Sequence, residues 1–473
     1  MLTKDMEKRI DEWIDSHEEE YLRDLGKLIA VPSVAKIGVA EGEFPFGENS
    51  AAALKTAKDL AESYGFKVEN RNNFCLVANV GEGEEKVGIL GHLDVVPCGN
   101  DWNFPPYELT LHDGMITGRG VLDDKGPLWA SVYSVRCLKE LGLLPRRAVE
   151  IFMGGDEECG MEDIKYYRAH SEKLPVVSFT PDGRYPVCHG EKGIMRFSLM
   201  IPNENSNIES LTGGTVRNVV ADHAEMVLTG VSFAKAAEAL VGKERISLVE
   251  EGDKVKVVAT GAAVHASTPD RGVNAIGVLA SAVLEAGLAT GGGRAALEFI
   301  ARVNSDCHGA ALGVPLADEP SGALTHVGGV IKTAGDKFDL TIDIRYPVTA
   351  DGDVIFKTIS DTVAPFGVTL CNLTDSKCIY TPAQSEVIKT CMETIDSVFH
   401  REGWTPYTMG GGTYARNMPS AYALGPKDPD AESPYGPYRG SIHQPDETTT
   451  VKLLMDTAKV YARLLIRLDE LEF

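Results

Sequence analysis

The run VGILGHLDVVP (87–97) closes an apolar stretch with His92 and places Asp94 two positions on. Residues two apart share one face of a strand, so the imidazole and the carboxylate can meet at the strand's end. That pairing orients a metal-binding histidine, and it also suits an ordinary hydrogen-bonded core histidine. Three further segments carry acids after apolar runs. GVLDDKG holds Asp123 and Asp124, EIFMGG leads into Asp156-Glu157-Glu158, and VVSFT leads into Asp182 in TPDG. Singly, each acid reads as a helix cap or turn residue. Together, so many carboxylates in one region would repel strongly, and one or two divalent cations are the natural remedy. Glu157 and Glu158 are adjacent, so their side chains diverge. One can hold a metal while its neighbour faces a water, the division of labour that two-metal hydrolysis requires.

For these residues to converge, their strands must lie side by side and end together. Open parallel sheets bind ligands beyond the carboxyl ends of their strands, and the sequence predicts such a sheet. Short apolar runs at 74–80, 86–92, 148–155 and 175–180 alternate with helical patterns, including one that Pro127 opens and that runs to about Leu143. Residues 107–120 read as a hairpin turning at Asp113-Gly114, with His112 as a turn residue. The first thirty residues carry apolar side chains at helical spacing up to Pro32. From about Glu191 the texture changes to period-two strands (247–261, 338–348) with helices near 231–242, 272–289 and 353–363. After about Tyr380 the α/β texture returns, with helices at 384–400 and 446–468. The expected fold is therefore α/β: a mostly parallel-sheet catalytic, metal-binding domain from residues 1–189 and 381–473, with an α+β lid domain inserted at 190–380. The glycine clusters at 291–293 and 410–412 read as loops. MGGGTYAR lacks the Lys-Ser/Thr of a phosphate loop and reads as backbone that approaches substrate closely.

Composition narrows the partners. The chain has 473 residues, 69 acidic against 46 basic, for a formal charge of −23, which argues against nucleic acid or an anionic membrane. Nine cysteines occur without a CxxC pair and read as reduced thiols. The charged, amphipathic N-terminus has no signal-peptide core, and no apolar run approaches the roughly 18 residues of a membrane span. A cytoplasmic location is expected. No GxSxG elbow, HExxH helix or GxxxxGKS loop supports a rival chemistry.

In combination, GHLDVVP, GRGVLDDKGP, GGDEECG, TPDG, HAS and SIHQPDE resemble the dinuclear-zinc metallopeptidases and deacylases of the carboxypeptidase G and aminoacylase family. Within it, the peptidase V and carnosinase-like dipeptidases are most similar. The resemblance spans nearly the whole chain. It implies that His92 and Asp182 hold one metal, Glu158 and His443 the other, and Asp123 bridges both. Asp123 is preferred over Asp124 because the family's ligand stands three residues before a glycine, here Gly126. The resemblance further implies that Asp94 orients His92 and that Glu157 is the general base. His265 would stabilise the oxyanion, and Asn218 and Arg345 would bind the peptide backbone and C-terminal carboxylate. His443 enters through the resemblance alone. His189, His223, His308 and His326 are left structural, and Cys98 and Cys159, which flank the site, are not ligands.

The function expected is a metal-dependent dipeptidase acting on short peptides with a free C-terminus, through a hydroxide bridging two ions. The alternative is an N-acyl amino acid deacylase with the same machinery; a metal-binding pseudoenzyme is the reading from outside catalysis. Zinc suits the mixed histidine and carboxylate ligands, and manganese or cobalt also fits oxygen-rich sites. The large insertion is similar to the arrangement in which an enlarged lid replaces a partner subunit, so a monomer is expected.

Overall fold

The computed structural model describes residues 2–473. The chain divides into two compact units. The first runs to His189 and resumes over Thr381–Tyr407 and Gly412–Phe473; the second comprises Gly190–Tyr380 and Thr408–Gly411. The short segment Thr408–Gly411 thus departs from the expected assignment of all of 381–473 to the first unit. Hydrogen bonds explain this: the Lys192 N–H donates to the Met409 carbonyl and Arg345 Nη1 to the Gly410 carbonyl, both at 2.9 Å.

The first unit is built on a mixed sheet. Four strands at its centre, Ala148–Gly154, Lys86–His92, Val177–Thr180 and Ala421–Ala423, lie side by side and run parallel. They are nearly all-apolar and buried, as strands covered on both faces must be. The flank differs from the parallel expectation. Lys67–Arg71 and Cys75–Val80 are joined by a tight turn, in which Asn72 and Asn73 take left-handed backbone angles, and a turn that short can only join antiparallel strands. Cys75–Val80 then runs antiparallel to Ala148–Gly154. The register of the central strands sets His92 opposite Gly154. The residues that follow each strand therefore leave the sheet at one edge.

Helices Lys125–Glu140 and Val451–Leu468 belong to the core beside this sheet, with Trp129, Leu454, Tyr461 and Leu465 fully buried. The first helix starts two residues before Pro127, which sits in the opening turn where its missing N–H costs nothing. The N-terminal run forms two helices, Lys4–Ser16 and Glu18–Ile29. The break falls at His17, whose ring stacks on Trp13 at 3.8 Å and whose Nδ1 lies 2.7 Å from the Trp13 carbonyl. Glu18, Glu19 and Glu20 then open the second helix, where acids favour the positive end of the dipole. The hairpin forms between Thr110–His112 and Met115–Thr117, with the turn at Asp113-Gly114 as expected; His112 ends a strand, paired with Met115, and does not lie in the turn, and Thr448–Thr450 adds a third strand.

The second unit is an antiparallel sheet of eight strands that includes Lys254–Thr260, His223–Leu228, Thr325–Ala334, Lys337–Tyr346 and Gly193–Pro202. Val255, Val257 and Ala259 alternate with more exposed neighbours, and the buried set packs with helices Ala275–Glu285 and Gly292–Val303. That last helix corrects the reading of 291–293 as a loop. Gly291 (φ 58°) passes so close to the Asn205 carbonyl that a Cβ would lie 1.9 Å from its oxygen, and the helix begins at the next residue.

Candidate metal centre

The parallel strands deliver their acids and imidazole together. His92 ends its strand, Glu157 and Glu158 follow Ala148–Gly154, and Asp182 follows Val177–Thr180. Asp123 stands just ahead of helix Lys125–Glu140, across a cis Asp123–Asp124 peptide. Two groups of three have ligand atoms that all lie within 4.8 Å of one another: His92, Asp123 and Asp182, and Asp123, Glu158 and His443. Asp123 is common to both, and it divides its oxygens between them. Its Oδ1 lies 3.1 Å from His92 Nε2 and its Oδ2 lies 2.9 Å from His443 Nε2. His443 Nε2 is also 3.0 Å from Glu158 Oε1. A tetrahedral zinc with bonds of about 2.0–2.2 Å separates its ligand atoms by roughly 3.3–3.6 Å, so these side chains need little movement to close on an ion.

The donor chemistry fits a cation in each group. His92 is completely buried, and its Nδ1 lies 3.0 Å from the Asp94 backbone carbonyl. A donating Nδ1–H leaves the Nε2 lone pair facing Asp123. Asp94 was expected to orient His92 through its carboxylate; the carbonyl makes the closer contact, with Oδ1 at 3.4 Å. The Asp94 carboxylate instead accepts the backbone N–H groups of Glu157 and Glu158, each at 3.1 Å.

Without a cation, the cluster draws in protons. Burial opposes protonation of His443, but its hydrogen bonds to Asp123 and Glu158 push it up to about 11. His92 is likewise held well above its ordinary range by Asp123 and Asp94, against its burial. Burial and the Asp123 charge push Asp182 up to about 7. Asp123 moves the other way: despite burial, His443 and His92 hold it well below the usual carboxylate range. Both histidines are thereby biased toward their protonated forms.

Glu157 is set apart from the ligands. Burial, then the Asp182 charge, raises its carboxyl well above the ordinary range, and its Oε1 is buried without a hydrogen-bond partner. A carboxylate left bare beside a cation site can take a proton from water. Asp124 does not join either group; it accepts the His92 backbone N–H at 3.1 Å.

One supporting residue escaped the sequence reading. Glu447, completely buried and four positions after His443, accepts on Oε1 the N–H groups of Gly120 (3.2 Å), Leu122 (2.9 Å) and Asp123 (3.1 Å). Its Oε2 pairs with Arg119 Nη1 at 2.7 Å. The loop bearing Asp123 is thereby fixed to the loop bearing His443. Only the acid in SIHQPDE hinted at this, and nothing in its spacing distinguishes it from a helix-capping residue.

The second unit gathers its three expected residues. The Ala266 N–H donates to the Asn218 carbonyl at 2.9 Å, and Val219 pairs with His265. Thr325 stands opposite Arg345 in the sheet, and its hydroxyl donates to the Ala266 carbonyl at 2.9 Å. His265 is exposed, with Nδ1 2.8 Å from Ser267 Oγ. Arg345 is buried and grips Asp343 with Nε (2.6 Å) and Nη2 (3.3 Å) while Nη1 takes the Gly410 carbonyl. The close approach of the glycine segment is to protein here: a Cβ on Gly410 would fall 2.8 Å from Ser267 Cβ. His326 is buried with Nε2 3.0 Å from the Val303 carbonyl, and His308 Nδ1 is 3.0 Å from the Leu324 carbonyl.

Residues 88–467 match the model of peptidase family M20/M25/M40. The chain belongs to this M20 peptidase family. It is similar to a putative dipeptidase, YtjP, of Bacillus subtilis, with 31% identity over 95% of this chain and 97% of that one. It is also similar to a beta-Ala-Xaa dipeptidase of Lactobacillus delbrueckii subsp. lactis, with 28% identity over 98% and 99% of the two chains. Among solved structures, human carnosine dipeptidase 1 shares the fold at 16% identity, with a TM-score of 0.55 over 98% of this chain and 100% of that one. As an M20 peptidase, the protein is a hydrolase acting on peptide bonds. Among the described residues no helix is long and apolar enough to cross a membrane.

Proposed function

We propose that this M20 peptidase is a two-metal dipeptidase that cleaves short peptides with a free C-terminus. The observation that carries this reading is the division of the Asp123 carboxylate, one oxygen toward His92 and the other toward His443, with Glu157, whose buried Oε1 has no partner, next to Glu158 in the chain. His92, Asp123 and Asp182 would hold one ion, and Asp123, Glu158 and His443 the other. Zinc is favoured by the paired histidines, and manganese or cobalt would also suit the carboxylates. When bound, the ions would supply Lewis acidity and lower the pKa of an attacking water. Glu157 takes that water's proton on its carboxylate and returns it to the leaving amine nitrogen. His265 donates to the oxyanion. Asn218 meets the substrate backbone, and Arg345 its terminal carboxylate, with the guanidinium held in plane by Asp343.

The names of the relatives support a dipeptide substrate over an N-acyl amino acid, the second substrate class that the same machinery could serve. The test is release of free amino acid from a dipeptide panel set against N-acetyl and N-succinyl amino acids, with metal-loaded protein and its Glu157→Ala variant. Turnover of dipeptides that Glu157→Ala loses by about 10²–10⁴-fold, with the metal content retained, is expected. Preference for the acyl substrates would replace the dipeptidase reading with the deacylase one. Loss of metal with activity would exchange the roles of Glu157 and Glu158.

A further inference from the structure

Two buried carboxylates grip the loop that carries Glu157. Asp163, at the start of helix Glu162–Ala169, accepts on Oδ2 the N–H groups of Gly155 at 2.8 Å and Asp156 at 2.9 Å. Asp94 accepts the next two, those of Glu157 and Glu158. Four consecutive amides are therefore tied to the protein interior. Asp163 spends only its Oδ1 on its own helix, at the Ile164 N–H (2.7 Å); Oδ2 reaches back to the strand end, and takes a third donor there, the hydroxyl of Tyr414.

Tyr414 is completely buried, with its ring edge-on to Phe152 at 5.1 Å and to His92 at 6.3 Å. The surroundings are closed. A Cβ on Gly154 would lie 2.0 Å from the Tyr414 hydroxyl and 2.3 Å from Asp163 Oδ2, and one on Gly155 would lie 2.4 Å from Ser50 Oγ. Ser50 Oγ in turn donates to the Gly155 carbonyl at 2.9 Å. The backbone of the loop is fixed from both sides, while the Glu157 Oε1 it presents has no partner. Such an arrangement suits a proton-transfer group, which must be placed accurately yet keep its oxygen available.

We infer that Asp163, held in place by Tyr414, is a positioning residue for Glu157. The inference rests on the proposed role of Glu157 as general base. Asp163 contributes no ligand atom to either group of three, and Glu158 on the same loop is also held at its side chain, with Oε1 3.0 Å from His443 Nε2, whereas Glu157 Oε1 has no partner; removal of Asp163 should therefore act on proton transfer and leave the ions in place. A displacement of about 1 Å can cost on the order of 10²-fold in rate.

The test uses the full-length, metal-loaded protein and the variants Asp163→Asn and Tyr414→Phe. Asp163→Asn replaces an acceptor with an amide that must present an NH2 to one side, and should lower kcat by about 10–100-fold. KM should stay within about twofold and both ions should remain bound, since neither depends on the base. Tyr414→Phe removes one hydroxyl from the same oxygen and should lower kcat in the same sense by a smaller factor. Each variant is then made again in the Glu157→Ala background, where no further loss should follow, because a residue that acts through Glu157 has nothing left to place.

Wild-type kcat in both variants, an equal loss in the Glu157→Ala background, or loss of an ion would each overturn the inference. If Asp163→Asn does not fold, Tyr414→Phe carries the comparison alone, since it preserves the ring that fills the core. Full activity of Glu157→Ala by itself would instead overturn the base assignment, a different result from an unaffected Asp163→Asn beside an inactive Glu157→Ala.

Discussion

Asp123 is the single side chain shared by both candidate ion groups, so replacing it separates a shared ligand from two independent sites. Asp123→Asn keeps the size of the side chain. It removes the charge and turns one of two oxygens into an NH2, which cannot accept from or ligate alongside the imidazole it faces. The magnitude follows from the number of ligands. A four-ligand structural zinc is held by about 10–16 kcal/mol. Each ligand then accounts for roughly 2.5–4 kcal/mol, or about 10²–10³-fold in Kd. Glu158→Ala or His443→Ala should therefore weaken one ion by about that factor, and His92→Ala or Asp182→Asn the other. Asp123→Asn alone should weaken both. Competition against a chelator of known affinity, with metal content measured by mass spectrometry after gel filtration, reads the two ions apart. If Asp123→Asn shed only one ion, or if Glu158→Ala depleted both by the same factor, the shared-carboxylate geometry would not describe the loaded site.

Proton release gives a second prediction. His443, at about 11 in the metal-free chain, and Asp182, at about 7, hold protons below those values, and an ion can bind only once they are expelled. Affinity should therefore rise with pH, by about tenfold per unit for each proton displaced; a chelator competition that gives the same Kd at pH 6 and pH 8 would contradict it. Arg345→Ala should depress kcat/KM for free dipeptides at least about tenfold more than for C-terminally amidated ones, since an amide has no carboxylate for the guanidinium to pair with. Equal losses would remove Arg345 from the carboxylate-binding role. Mixing His265→Ala with Glu157→Ala under subunit-exchange conditions should yield an inactive mixture if each chain uses its own histidine. Recovery of activity would mean that a partner subunit supplies it.

What the sequence made legible follows from how each residue reaches its place. His92, Glu158 and Asp182 end or follow parallel strands, so strand patterning alone brought them to one edge. Asp123 precedes a helix, where an acid is ordinary, and only the motif separated it from Asp124. His443 lies in a loop with a left-handed φ of 62°, outside any periodic element, and no texture pointed to it. Glu447, Asp163 and Tyr414 were hidden for a different reason. Glu447 and Asp163 act by accepting backbone amides, which leave no residue type to recognise, and Tyr414 acts through the Asp163 carboxylate 251 residues away. The break at His17 was equally invisible, since the apolar spacing on either side of it continues as though one helix ran through.

The first unit is discontinuous, and this bears on how the protein is made. Asp123 and its neighbours are synthesised early, but their sheet is finished by Ala421–Ala423, their hairpin by Thr448–Thr450 and their loop by Glu447. The stretch 190–380 lies between them in the chain. At about 5–20 residues per second, a ribosome needs roughly 13–50 s to pass from residue 189 to residue 447. During that interval the early strands must wait with an open flank while the inserted unit, apart from four residues, emerges as one contiguous piece. A cation could meet His92, Asp123 and Asp182 together in the nascent chain, whereas the group of Asp123 and Glu158 stays incomplete until His443 is made.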